Sequence, residues 1–354
     1  MKHEHYDLHR HLEGSHSSAA LADIGARFKI PAFFDAARNR YKTAAELAPK
    51  LVMSGPSDDA SIFYQCIVEA RAAYVSVEAI EALAERAFEE AAADCAGFEM
   101  RLSLFSMART LIENRQQKWR DVPPVTFAEA YARPILRAVF AARARVHART
   151  QRPMVLRLGL SRTFESGPHY RALAAMVREH RNDLVGLDVL GIVSGPDKEP
   201  LPAELVAILE DMRKDLPDLT IHAGEFEGHA AVDRTLELAP RGIGHGVHAL
   251  QSAGTLERLA KEGVTLEVCP TSNRLLIPTA LSMLEKQHRF ADGAVMMPLA
   301  ALQKHHVHCV LGSDDPTPMG TSFSNELAIA REAGVDLDRL AADTARRWAE
   351  ITGG

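Results

Sequence analysis

Eight short apolar, β-branched runs, most of them separated by a longer stretch of helical period, constrain the fold of this chain more than any other feature. They cover residues 6 to 12, 98 to 105, 153 to 161, 184 to 192, 218 to 225, 242 to 247, 264 to 272 and 306 to 314. Between most of them apolar residues recur at i, i+3 and i+4, as from Pro202 to Asp215 and from Thr255 to Glu262. Strands that alternate with helices pair in parallel, each helix serving as the crossover. Eight such units point to a closed sheet, so the expected fold class is α/β, a (β/α)8 TIM barrel.

The chain has 354 residues, a length that fits a single barrel domain over 1–354 once insertions are counted. Two segments exceed a minimal barrel. Residues 15 to 97 read as mostly helical, with breakers at Pro31 and at Ser54-Gly55-Pro56-Ser57, and are expected to form a helical insertion over the barrel mouth. Residues 273 to 293 contain Pro278 and Asp292-Gly293 and are expected to be a loop covering the site.

Function classes narrow next. A net charge of -6 leaves no general basic field of the kind that drives binding to nucleic-acid polymers. Cys66, Cys95, Cys269 and Cys309 are scattered with no C-x-x-C pair, which argues against a disulfide framework and a zinc ribbon. Met1 to Asp7 lacks the apolar core of a signal peptide, and no run of about 18 uncharged apolar residues occurs. A cytoplasmic protein with reduced thiols and no membrane partner is expected. Nothing in the sequence speaks to oligomeric state.

The polar residues of interest cluster where barrel enzymes place their chemistry, at the carboxyl ends of strands. His9 and His11 alternate along the first strand, so both imidazoles leave it on one face and can share a divalent ion. Two ligands do not complete a catalytic zinc site, which takes three or more protein ligands and an open position for water. His222 at the end of strand five and Asp314 at the end of strand eight would supply the rest. Glu225, His245 and Asp315 fall at the same rim.

Taken in order, His9-Arg10-His11-Leu12-Glu13-Gly14, His222-Ala223-Gly224-Glu225, Gly242-Ile243-Gly244-His245-Gly246-Val247, Cys269-Pro270-Thr271-Ser272-Asn273 and Ser313-Asp314-Asp315-Pro316 resemble the motifs of the adenosine deaminase family, within the amidohydrolase superfamily. The resemblance runs from residue 7 to about 326. Glu99-Met100-Arg101-Leu102-Ser103, Ser161-Arg162-Thr163-Phe164 and Gly186-Leu187-Asp188-Val189-Leu190-Gly191 extend it. It implies hydrolytic deamination at C6 of a 6-aminopurine: adenosine or 2′-deoxyadenosine to inosine or 2′-deoxyinosine plus ammonia, or else adenine or a modified nucleoside.

By the same resemblance, His9, His11, His222 and Asp314 hold one Zn²⁺, whose bound water is activated near neutral pH. His245 orients that water or takes its proton. Glu225 is the acid that meets N1, and a carboxyl group can stay protonated near pH 7 only in surroundings that disfavour its anion. Asp315 acts through N7 or the attacking water, Gly191 offers backbone near N3, and His11 and Glu13 border the substrate. The other zinc deaminase class, with H-x-E and P-C-x-x-C, takes flipped bases. No such cysteine pair exists here, so a free nucleoside or base is the expected partner. Glu13 stands where many relatives carry Asp, Leu104 where many carry Pro, and Ile192-Val193-Ser194 where an acidic residue is common.

Other candidates have blander readings. Arg143, Arg145, Arg149 and Arg152 with His147 read as a solvated helix face. His305, His306 and His308 sit at the opposite end of strand eight, and His3 and His5 at the start of strand one, all read as structural or exposed. Met296-Met297 and Phe63-Tyr64 read as apolar core that could line a pocket. Cys269 reads as packing rather than a nucleophile.

Overall fold

A computed structural model describes residues 5–163, 165–191 and 201–353. His3, Phe164 and Ile192-Val193-Ser194 lie outside the described residues. Eight strands form one sheet: β1 Tyr6–His11, β2 Gly97–Leu102, β3 Met154–Ser161, β4 Gly186–Leu190, β5 Leu219–Ala223, β6 Gly242–His245, β7 Thr265–Val268 and β8 His308–Leu311. Each pairs in parallel with its sequence neighbour. The ring closes just past β8, where Arg10 bridges Asp314 in parallel. There the His11 N–H donates to the Asp314 carbonyl (2.9 Å) and the Asp314 N–H to the His9 carbonyl (2.8 Å). Closure of the (β/α)8 TIM barrel therefore sets His9 and His11 beside Asp314.

The strands are buried on both faces, as helices outside and side chains inside require. Three expected strands overran their carboxyl ends by three residues or more. Leu104–Asn114 and Pro270–Leu276 are helices, and 312–314 lies beyond β8. A buried helix that follows a strand directly continues the apolar run, so the run alone cannot mark the boundary.

The segment after β1 carries α1 Ser18–Arg27, α2 Ala44–Leu51, α3 Ser61–Arg71 and α4 Val77–Asp94, with a small hairpin pairing Phe34–Asp35 with Arg40–Tyr41. Their starts are chemically marked: Ser17 and Ser76 accept hydrogen bonds from the amides of Ala20 and Ala79, and Thr43 with Glu46 forms a capping box. Phe63, Ile67 and Arg71 of α3 reach a cavity at the carboxyl ends of the strands.

The expected loop at 273–293 is largely helical, through Pro270–Leu276 and Pro278–Gln287. Proline at a first helical turn forfeits no hydrogen bond, so both prolines start helices here. The basic residues Arg145 and Arg149 of the helix Arg133–Thr150 are exposed, as a solvated face requires, and they are also paired. Arg145 meets Glu81 and Glu85, and Arg149 meets Glu85 and Glu89, all on α4.

At the amino end of the barrel, the last helix, Leu337–Thr352, stacks Trp348 on Tyr6 at 4.7 Å. Its buried Arg347 grips both oxygens of Asp218, at 2.6 and 2.7 Å. His308 is half-buried with its Nδ1 2.6 Å from Asp343, a structural contact. All four cysteines are free and buried. Among the described residues no helix is long and apolar enough to cross a membrane.

Candidate active site

The ends of β1, β5 and β8 deliver four buried groups to one point. His9, His11, His222 and Asp314 each offer a ligand atom, all within 4.8 Å of one another. His11 Nε2 lies 3.2 Å from Nε2 of both His9 and His222, and Asp314 Oδ1 is 3.6 Å from His9 Nε2 and 3.4 Å from His11 Nε2. Imidazole nitrogens turned at each other this closely cannot all be satisfied by mutual hydrogen bonds. A cation among them resolves that, and three nitrogens with one oxygen suit a zinc-like divalent ion. The site is shaped by backbone as well: Asp314 and His245 both adopt left-handed φ, 60° and 62°, a conformation non-glycine residues rarely take outside constrained sites.

Beneath the ligands the barrel is filled by charges instead of the usual branched aliphatic layers. His9 Nδ1 lies 3.0 Å from Glu267 Oε2 and His222 Nδ1 3.2 Å from Asp188 Oδ1. Each carboxylate accepts the Nδ1 proton and so presents Nε2, with its lone pair, to the ion. Arg101, wholly buried, links the two: its guanidinium is 2.5 Å from Glu267, 3.4 Å from Asp188 and 3.0 Å from Glu99. Arg157 pairs in turn with Glu99 at 2.7 Å and Asp218 at 2.8 Å. Burial opposes charge on Glu267 and Asp188, yet Arg101 and His9 hold Glu267 low, and His222 and Arg101 hold Asp188 well below the usual carboxylate range.

At the rim the electrostatics run the other way. Burial, then the neighbouring Asp314 charge, pushes the Glu225 carboxyl well above its ordinary value. Asp315 is raised by burial, Asp314 and Glu13. Asp314 itself stays ionised, since its bond to His9 and the surrounding imidazoles outweigh the cost of burial. Burial drives His245 down to about 3. Its Nδ1 is 3.0 Å from Asn273 Oδ1, so the proton sits on Nδ1 and the bare Nε2 faces Glu225 Oε2 at 3.5 Å.

The cavity over this cluster is bordered by Glu13, Gly191, Glu225 and Asp315 on its polar side and by Phe63 and Leu276 on its apolar side. Glu13 Oε1 accepts the Ser103 amide at 2.9 Å, and burial raises its carboxyl. Gly191 has φ +104°, which only glycine adopts without strain. A Cβ on Gly14 would meet Asp315 Oδ1 at 1.8 Å, so glycine there makes room for that carboxylate.

All the site residues expected from sequence thus gather at one rim: His9, His11, Glu13, Gly191, His222, Glu225, His245, Asp314 and Asp315. Asp188, Glu267, Arg101, Asn273 and Arg71 have no role assignable from sequence alone. The signal for the first three was charge in the middle of apolar strand runs. Arg71 has no local signal, because it arrives from a distant helix.

The family model described as adenosine deaminase matches residues 5–347. The chain belongs to the adenosine deaminase family. It is 27% identical over 334 residues to an adenosine deaminase of Serratia proteamaculans (strain 568), covering 93% of this chain and 88% of that protein. It is 36% identical over 153 residues to an adenine deaminase of Sinorhizobium fredii (strain NBRC 101917 / NGR234), a match to 42% of this chain and only 44% of the relative's length. Among solved structures, adenine deaminase from Arthrobacter aurescens superposes with a TM-score of 0.71 at 17% identity, covering 99% of this chain and 98% of the other. The apo N6-methyl-AMP deaminase from Arabidopsis thaliana gives the same score and identity, covering 99% and 92%. These two structures establish a shared fold.

Proposed function

We propose that this chain, acting as one domain over 1–354 in the cytoplasm, is a zinc-dependent aminohydrolase that converts adenosine or 2′-deoxyadenosine to inosine or 2′-deoxyinosine and ammonia. One observation carries the reading: Glu225, buried and protonation-favoured, stands 3.5 Å from His245 beside the four convergent ligands. Hydrolysis at C6 requires an acid for the ring nitrogen and a base for water in one place, and this pair supplies both.

His9, His11, His222 and Asp314 hold the metal. A divalent ion bound by them supplies electrophilic activation of water near neutral pH. His245 Nε2 accepts a proton from the attacking water as its oxygen bonds to C6, while the Glu225 hydroxyl gives its proton to N1. The amino group then takes the proton from His245 and leaves as ammonia, and the C6 hydroxyl returns a proton to Glu225 as the 6-oxo group forms. Asp315, kept apart from Gly14 by nothing but hydrogen, orients N7 or the water. Gly191 lets the purine edge approach the backbone.

A second reading, adenine or a modified nucleoside as substrate, is favoured by Glu13, whose buried carboxyl is longer by one methylene than the aspartate many relatives carry. Ammonia release from adenosine, 2′-deoxyadenosine and adenine, with metal analysis of the same sample, tests both. Adenosine is expected to turn over with one zinc-like ion per chain. A marked preference for adenine would refute the first reading, and no release from any 6-aminopurine would refute the function.

A further inference from the structure

Phe63, Tyr64, Ile67 and Arg71 lie on one face of α3, and all four border the active-site cavity. Phe63 and Ile67 are buried with Leu276 in an apolar wall, and Tyr64 stands partly exposed at the rim. At the end of that wall is Arg71, which carries the one guanidinium or ammonium among the described residues lining the cavity. Its Nε is buried without a hydrogen-bond partner. Its ion-pair contact is loose: Nη2 is 3.9 Å from Glu13 Oε1, an oxygen already taken by the Ser103 amide.

With C6 and N1 of the purine held at the ligand cluster, N9 lies across the fused ring from them. The polar lining residues left to meet that side are Tyr64 and Arg71 of α3, Glu13 and Ser103. A neutral substrate leaves the buried Nε unpartnered and the guanidinium with only its loose contact to Glu13, whereas an oxyanion meets it with charge-assisted hydrogen bonds.

We infer that Arg71 recognises an anionic group borne on the N9 side, so that the favoured substrate class is a 6-aminopurine nucleoside whose 5′ substituent ends in a phosphate or carboxylate. The apolar stripe covers the path to that anion, and the inference rests on the aminohydrolase reading above. Arg71 thereby sets specificity rather than chemistry.

The test compares kcat/KM of the zinc-loaded enzyme for adenine, adenosine, 5′-methylthioadenosine, adenosine 5′-monophosphate and adenosine-5′-carboxylic acid. At least one anionic nucleoside is expected to exceed the neutral ones by tenfold or more, and which anion leads identifies the source. In Arg71→Gln the ratio of anionic to neutral kcat/KM should fall by about ten- to a hundredfold, chiefly through KM. Arg71→Lys should restore part of that ratio, as a charge without the planar fork. Neutral substrates equalling or exceeding the anionic ones in the wild type would overturn the inference, and so would an equal loss for every substrate in Arg71→Gln. If that variant fails to fold, the wild-type panel decides alone. Ammonia from the neutral substrates with no gain from an anion sinks this inference only, whereas no ammonia from any member sinks the deaminase reading with it.

Discussion

Two carboxyl groups within one site, Glu225 and Asp314, are driven in opposite directions by their surroundings, and that divergence assigns their work. Asp314 is ionised among imidazoles, as the proposed ligand role needs, while Glu225 has burial and the Asp314 charge against its anion, as the proposed acid role needs. Replacing Glu225 by Gln keeps the shape but removes the proton, so metal content should persist while kcat falls by about 10²- to 10⁴-fold. The pH dependence has a definite sign. A group with a raised pKa delivers its proton below that value, so wild-type turnover should decline on the alkaline side as Glu225 ionises, and the residual activity of Glu225→Gln should lack that limb. Metal analysis and a kcat–pH profile check this, and full activity in the variant would remove Glu225 from its role. These residues were legible in the sequence because histidine pairs and acidic turns at strand ends are uncommon and occurred together in barrel order. Arg71 was not, because its relevance exists only once α3 is folded over the cavity.

Strands β2, β4 and β7 each place a charged residue where a barrel interior expects an aliphatic one, and the result is a clamp. Arg101 from β2 holds Asp188 from β4 and Glu267 from β7, and those two orient His222 and His9. Removing the guanidinium strands buried carboxylates, a change of the kind that costs about 3–5 kcal/mol, and frees the imidazoles to rotate. Arg101→Gln should therefore melt at a lower temperature and, where still folded, bind zinc about 10- to 100-fold more weakly. Calorimetry and competition with a chromogenic chelator measure the two effects, and unaltered metal affinity in folded variant would show the clamp to be structural only. The strands themselves were visible as apolar runs, but the clamp was hidden, since no sequence pattern says which of several inward charges meet. The helices at Pro270–Leu276 and Pro278–Gln287 were missed for a local reason: their prolines read as breakers, although proline at a first turn begins a helix at no cost.

On the scale of the whole molecule, the barrel is tied at both ends by polar contacts that sequence periodicity could count but not connect. The upper tie is the Arg10–Asp314 bridge, which makes closure and assembly of the candidate metal ligands the same event. The lower tie is Asp218, before β5, which pairs with Arg157 of β3 at 2.8 Å and with Arg347 of the last helix at 2.6 Å. Burial opposes the Asp218 charge, but the two arginines bring its carboxyl down to about 2. Because the folded value lies below the ordinary one of 3.8, the folded state binds this proton less tightly than the unfolded chain. Its stabilisation is complete above that ordinary value and is lost as pH falls from there towards about 2. Asp218→Asn leaves two buried arginines short of a partner and should lower stability by about 3–5 kcal/mol near neutrality. The deficit should shrink in acid, where the wild-type carboxyl also becomes neutral. Urea midpoints of both proteins between neutrality and the acid limit of reversible unfolding test this, and a gap that stays constant down to that limit would show that Asp218 does not tie the final helix to the barrel through its charge.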